Sequence, residues 1–162
     1  MESPYITAVI KEWDLYLALF DEKPIISELH FGGGTPTFFS PDSLDILLSG
    51  VLDKWIIPEK HFYSFEGYSN NTKKAHLEVL AKHGFRRASY GVQDFDEKVQ
   101  RSINRVQPYE NVEVVTKLSR ELGYNSTSFD LVYGLPFQTI GSIEGTIELV
   151  KKLMPERIAF YS

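Results

Sequence analysis

Ile25-Ile26-Ser27-Glu28-Leu29-His30-Phe31, followed at once by Gly32-Gly33-Gly34-Thr35-Pro36-Thr37, strips the backbone of side chains just where an apolar run should end a β-strand. Glycine removes Cβ and opens positive φ, at a conformational-entropy cost of roughly 0.5–1 kcal/mol each relative to alanine. Three together exceed what a simple turn needs, so close approach of a ligand to this backbone is expected. A bulge, a tight turn or close strand packing are the plainer uses of the same glycines.

Outward from this stretch, short β-rich runs alternate with helical ones. A first helix is predicted from about Pro4 to Phe20, with Ile6, Val9, Ile10, Trp13, Leu17 and Phe20 on one face. Strands are predicted over Ile25 to Phe31, His61 to Glu66, Arg86 to Val92, Asn125 to Tyr133 and Arg157 to Tyr161. Between them, Ser40-Pro41-Asp42 reads as a helix start running to about Trp55, and Asn71 or Thr72 caps a helix ending at Gly84. Helices over Asp96 to Ile103, Tyr109 to Leu122 and Ile140 to Leu153 complete the pattern. Such alternation implies an α/β fold with a parallel sheet covered by helices. Five βα units with no G-x-G-x-x-G fingerprint favour part of a (β/α) barrel over a doubly wound sheet.

The 162 residues suffice for one domain with a sizeable core, and 43% apolar residues with a net charge of −5 mark an ordinary globular composition. The mild acidity leaves no basic stripe for nucleic acid. No window approaches the ~18 uninterrupted apolar residues of a membrane span, and Glu2, Lys11, Glu12 and Asp14 interrupt any secretory core, so the cytoplasm is the expected location. There is no cysteine, which excludes disulfides, thiolate catalysis and cysteine-held metal within these residues.

Barrels and doubly wound sheets both hold ligands at the carboxyl ends of their strands. The Gly32 to Thr35 run, Glu66, Gln93-Asp94 and Asp130 all fall there. Asp130, between Phe129 and Leu131, needs a partner if buried. Arg105, in Asn104-Arg105-Val106-Gln107-Pro108, is a candidate partner for it or a ligand clamp, because guanidinium presents a rigid fork suited to carboxylate. The plainer readings are helix caps for Glu66 and Asp130, a strand end for Gln93 and a solvated loop for Arg105. His30, His61, His76 and His83 lack metal-ligand spacing and are read as structural, so no metal site is expected. Neither a G-x-S-x-G elbow nor a P-loop is present.

Four motifs together are familiar: Glu28-Leu29-His30-Phe31-Gly32-Gly33-Gly34-Thr35-Pro36-Thr37; Gly91-Val92-Gln93-Asp94-Phe95; Val99-Gln100 with Asn104-Arg105-Val106-Gln107; and Asp130-Leu131-Val132-Tyr133-Gly134-Leu135-Pro136. In order and spacing the chain resembles, over nearly its whole length, the oxygen-independent coproporphyrinogen III oxidases, which are radical S-adenosylmethionine (SAM) enzymes. Related haem chaperones share the Gly-Gly-Gly-Thr-Pro run but typically read Gly-Val-Gln-Ser-Phe where this chain has Asp94, which favours the oxidase.

The resemblance implies a partial radical-SAM-type barrel of about five parallel strands with outer helices. It also implies a 4Fe-4S cluster that cleaves SAM reductively, and a radical that abstracts hydrogen from the propionates of coproporphyrinogen III, giving protoporphyrinogen IX for haem biosynthesis. Carried over by position, Gly33, Gly34 and Thr35 would line SAM through backbone, and Glu66, Gln93, Arg105 and Asp130 would make polar contacts to it. No catalytic residue is assigned within the chain. The family holds its cluster in a C-x-x-x-C-x-x-C loop that would precede the first helix, and clusters need thiolates. Residues 1–162 are therefore expected to be the central part of the barrel domain, inactive alone, with the cluster loop upstream and a C-terminal domain beyond. A haem chaperone of the same superfamily, or an unrelated β/α-barrel protein for an anionic small molecule, remains the alternative. Exposed edges, notably Ile25 to Phe31, are expected to promote self-association.

Overall fold

The computed structural model describes residues 2–162. Alternation of large apolar with small or polar residues organises its sheet. In β2 (Phe62–Gly67) Tyr63 and Phe65 are buried, in β3 (Phe85–Gln93) Phe85, Ala88, Tyr90 and Val92, and in β4 (Ser126–Val132) Thr127, Phe129 and Leu131. With β1 (Glu28–Phe31) and β5 (Arg157–Tyr161) they form one parallel sheet whose spatial order, β1-β2-β3-β4-β5, repeats the order in the chain. The sheet is open, with β1 and β5 as its edges.

Helices cover one face. α1 (Glu2–Leu17) precedes β1; α2 (Pro41–Leu52) follows β1, α3 (Lys74–Lys82) follows β2, α4 (Glu97–Ser102) and α5 (Tyr109–Glu121) follow β3, and α6 (Ile140–Leu153) follows β4. Leu44, Leu48, Leu77, Leu80, Val112, Val115, Val150 and Leu153 pack with the buried strand residues into one core. Full burial of such side chains contributes about 1.5–3 kcal/mol each, the main stabilising term here. Tyr63, Tyr90 and Tyr124 enter the core with their hydroxyls satisfied, by Trp55 Nε1 and the Ile26 carbonyl, by Ser119 and by the Leu77 carbonyl. The opposite face carries Glu28, His30, Ser64, Glu66, Arg87, Ser89, Ser126, Ser128, Asp130 and Arg157, a polar surface no hydrophobic layer could cover.

Several boundaries differ from expectation for physical reasons. β1 is four residues, because Ile25 and Ile26 leave the sheet to pair with Ile56, where Ile26 N–H donates to the Ile56 carbonyl at 3.1 Å. α1 begins at Glu2 and ends at Leu17; Leu19 and Phe20 continue only as i→i+3 turns. Of its predicted face, Ile6 alone is fully buried and Phe20 is exposed, while Ile10 fits against Gly50, where a Cβ would lie 2.4 Å from its Cδ1. α3 starts at Lys74 rather than being capped by Asn71 or Thr72, since the Thr72 hydroxyl is committed to the Tyr68 carbonyl and Thr37. Instead His76 reaches back: its Nδ1 accepts from Lys73 N–H at 3.0 Å and its Nε2–H donates to the Phe39 carbonyl at 2.9 Å. Burial holds this imidazole below its ordinary pKa, consistent with a neutral ring that accepts at one nitrogen and donates at the other. A single 3₁₀ turn at Pro36–Phe38 joins the glycine run to α2.

Candidate functional site

All the anticipated site residues gather at the carboxyl end of the sheet. The run after β1 turns outward with Gly33 and Gly34 at φ +78° and +70°, both exposed, and an added Cβ at either would meet nothing within 4 Å. Positive φ selects glycine at these two positions and leaves a bare, open backbone. Thr35 follows in extended conformation, its carbonyl accepting from Phe38 N–H. Gly32 differs: its Cβ would fall 2.8 Å from His30 Nε2 and 2.9 Å from Glu66 Cδ.

Glu66 lies at the end of β2, level with Ser89. Asp130 lies on β4 level with Gly91, and the Ser89 hydroxyl donates to its carboxylate at 3.3 and 3.4 Å. Burial pushes the Asp130 carboxyl above its usual range; the Ser89 hydrogen bond opposes this, Glu66 adds to it and the Arg105 charge lowers it. Gln93, the last residue of β3, stands at φ +66°, with Asp94 N–H closing on the Val92 carbonyl at 2.9 Å around it. A left-handed non-glycine of this kind stores strain, and here the β3–β4 register also shifts. The bulge returns the Gln93 amide over Gly91, whose absent Cβ would lie 2.7 Å from Gln93 Nε2 and 2.9 Å from an Arg105 nitrogen. Gly91 thus admits both side chains to one spot.

Arg105 is half-buried rather than a solvated loop residue, and among the described residues it forms no ion pair with Asp130 within 4 Å. Its guanidinium lies 4.9 Å above the Tyr68 ring and donates to the Gly91 carbonyl at 3.1 Å. Its Nε is buried without a partner, so part of the fork's donor capacity is left over. The loop that carries it is clamped by buried Gln100, whose amide donates to the Asp94 and Gln107 carbonyls and accepts from Gln107 N–H. Asn70 fixes the same loop by donating to the Val106 carbonyl.

Asp94 is fully buried and does not face the site. It accepts from Asp96 N–H, the Thr146 hydroxyl and the Gln138 amide, and Gln138 in turn accepts from Gly134 and Leu135 N–H. The loops after β3 and β4 are tied through this one carboxylate.

The sequence reading missed Gly32 and Gly91 as clearances, Tyr68 as the platform for Arg105, and His30. By sequence His30 reads as structural because it lacks metal-ligand spacing, yet parallel pairing with Ser64 brings it 3.1 Å from Glu66. His83 likewise gains Asp45 at 2.6 Å, from a different helix. For His30 the missed signal is period two: on the face opposite Leu29 and Phe31 it points to the polar side of the sheet.

The donor and acceptor set suits a ligand that carries both positive and negative charge. Two carboxylates suit ammonium or hydroxyl groups, a guanidinium with a free donor suits a carboxylate, and open glycine backbone admits close contact. An iron–sulfur cluster does not fit these residues, since none supplies thiolate.

The model of the radical SAM superfamily matches residues 5–150. Among curated proteins, the oxygen-independent coproporphyrinogen III oxidase of Helicobacter pylori (strain 26695) is 41% identical over 159 residues, 98% of this chain and 35% of that protein. The Pseudomonas aeruginosa protein of the same name is 34% identical over 162 residues, 99% of this chain and 35% of its own length. Coproporphyrinogen III oxidase from Escherichia coli, a radical SAM enzyme, superposes with a TM-score of 0.92 at 33% identity, across 99% of this chain and 37% of that one. The methyltransferase TsrM of Kitasatospora setae shares the fold alone, at a TM-score of 0.72 and 15% identity. The chain spans about a third of the length of the curated relatives it matches.

Proposed function

The chain belongs to the radical SAM superfamily, and from that premise we propose that residues 1–162 are the central part of the barrel domain of an oxygen-independent coproporphyrinogen III oxidase. The family uses SAM and a 4Fe-4S cluster, so the alternative of an unrelated barrel protein falls. On this reading the cluster's thiolates lie outside residues 1–162, and this stretch contributes the walls of the SAM site.

Each side chain then has a task. Gly33, Gly34 and Thr35 present backbone to the methionine moiety without steric cost. Arg105, pre-oriented on Tyr68, directs its fork at a carboxylate. Glu66 accepts from an ammonium group, and Asp130 with Gln93 accepts from and donates to ribose hydroxyls. Cofactor bound here supplies the hydrogen-abstracting chemistry, and the residues of this chain bind and orient it. The substrate class is a porphyrinogen whose propionate side chains undergo oxidative decarboxylation.

The observation that carries the reading is the convergence of four motifs, distant in sequence, on one rim of a sheet that superposes on the Escherichia coli oxidase. The test is anaerobic turnover of the full-length protein with SAM and coproporphyrinogen III. Protoporphyrinogen IX and 5′-deoxyadenosine are expected together. Haem binding and transfer without either product would point to the haem-chaperone alternative and overturn the oxidase.

A further inference from the structure

His30 and Ser64 are Cα partners across β1 and β2, and Glu66 lies two residues further along β2 on the same face. His30 Nδ1 is 2.9 Å from Ser64 Oγ and Nε2 is 3.1 Å from Glu66 Oε1. An ionised carboxylate only accepts, so the Nε2 proton is donated to Glu66, while Nδ1 pairs with the Ser64 hydroxyl, whose oxygen also lies 3.5 Å from the Leu29 carbonyl. The imidazole is thereby fixed at both nitrogens, although 56% of its side chain is exposed, and one oxygen of Glu66 is anchored to it.

Gly32 belongs to the same arrangement. A Cβ there would come within 2.8 Å of His30 Nε2, 2.9 Å of Glu66 Cδ and 3.0 Å of Glu66 Oε2. Gly32 does not stand among the positive-φ residues, unlike Gly33 and Gly34, so its backbone does not demand glycine. What demands it is the space above the His30–Glu66 pair. An alanine would move the tips of two flexible side chains and leave the backbone alone, a displacement the fold tolerates and the pair does not.

We propose that His30 is a positioning residue for SAM binding, holding Glu66 through the Ser64–His30–Glu66 chain of hydrogen bonds, and that Gly32 is glycine to leave room for this pair. The inference rests on the assignment of Glu66 to the SAM site. A carboxylate free to rotate loses conformational entropy when it meets its ligand, whereas one already held by an imidazole has lost it on folding. His30 acts through Glu66 and touches no substrate.

The experiment measures the SAM dissociation constant of the full-length protein by calorimetry, with melting temperature alongside. Variants are His30→Leu, His30→Gln, Gly32→Ala, Glu66→Ala and the double variant His30→Leu/Glu66→Ala. His30→Leu and Gly32→Ala are expected to weaken SAM binding about tenfold with little change in melting temperature. His30→Gln, which keeps an N–H donor within reach of Glu66, should recover part of the loss. The double variant should bind no more weakly than Glu66→Ala alone, because His30 has nothing left to position. Multiplicative losses in the double variant, or parental affinity in both His30→Leu and Gly32→Ala, would overturn the proposal. If Glu66→Ala itself binds SAM as the parent does, the assignment of Glu66 falls and His30 falls with it, an outcome distinct from failure at His30 alone.

Discussion

Arg105 and Asp130 show how a side chain's surroundings decide what its loss will cost. Arg105 is stacked on Tyr68 and bonded to the Gly91 carbonyl, so Arg105→Lys keeps charge but loses both the planar stack and the fork. In the full-length protein SAM affinity should fall about tenfold to a hundredfold, the value of a hydrogen bond to a charged group. Melting temperature should also fall, by roughly 2–4 °C for about 1 kcal/mol of lost stacking; an unchanged affinity would remove Arg105 from the site. Asp130 behaves oppositely. Its carboxyl titrates above the 3.8 of an unperturbed Asp, so the folded state holds its proton more tightly and stability is lost as pH rises through the folded value. Asp130→Asn should therefore be more stable than the parent at pH 7, with the gain shrinking as pH is lowered and the parent carboxyl takes up its proton. Its SAM affinity should drop. Urea unfolding at several pH values checks the first statement and calorimetry the second. The rim position of Glu66, Gln93 and Asp130 was legible because strand ends and parallel connections follow from local pattern. The surroundings of Arg105 were not, because Tyr68 and Gly91 reach it only through packing between elements.

Loops that look separate in the sequence are joined at the level of elements. Asp94 takes donors from its own loop, from Gln138 in the loop after β4 and from Thr146 on α6. Asp94→Ala would leave those buried donors unsatisfied at about 1–3 kcal/mol each, partly relieved by water. A loss of about 2 kcal/mol or more in urea unfolding is expected, with faster amide exchange in both loops together; exchange confined to the β3 loop would show that they are not coupled. The contrast with serine at this position, drawn from sequence, acquires a physical content here, since one hydroxyl cannot accept from three donors. Helix positions were legible from period and caps, as at α2, where the Ser40 hydroxyl accepts from Ser43 N–H behind Pro41. The start of α3 was not, because its cap is a histidine reaching back from the first turn. The short β1 was not either, because the partner of Ile25 is Ile56, thirty-one residues away.

Across the whole molecule, one face of the sheet is dry and the other polar, and both edges are open. The edge expected to associate, Ile25 to Phe31, is reduced to four residues with exposed Glu28, a poor template. β5 offers the better one, with Ile158, Phe160 and Tyr161 about half exposed. We therefore expect residues 1–162, as an isolated polypeptide, to self-associate through β5, seen as concentration-dependent sedimentation. Ile158→Lys should suppress it, and an undiminished dimer in that variant would exclude this edge. The identity of spatial and chain order has another consequence, for how the polypeptide is made. Each strand hydrogen-bonds to the one synthesised just before it, so every βα unit finds its docking edge already present as it leaves the ribosome. No strand must wait for a distant partner. The molecule can grow by accretion from its amino end, each strand laid on the edge that the preceding one presents.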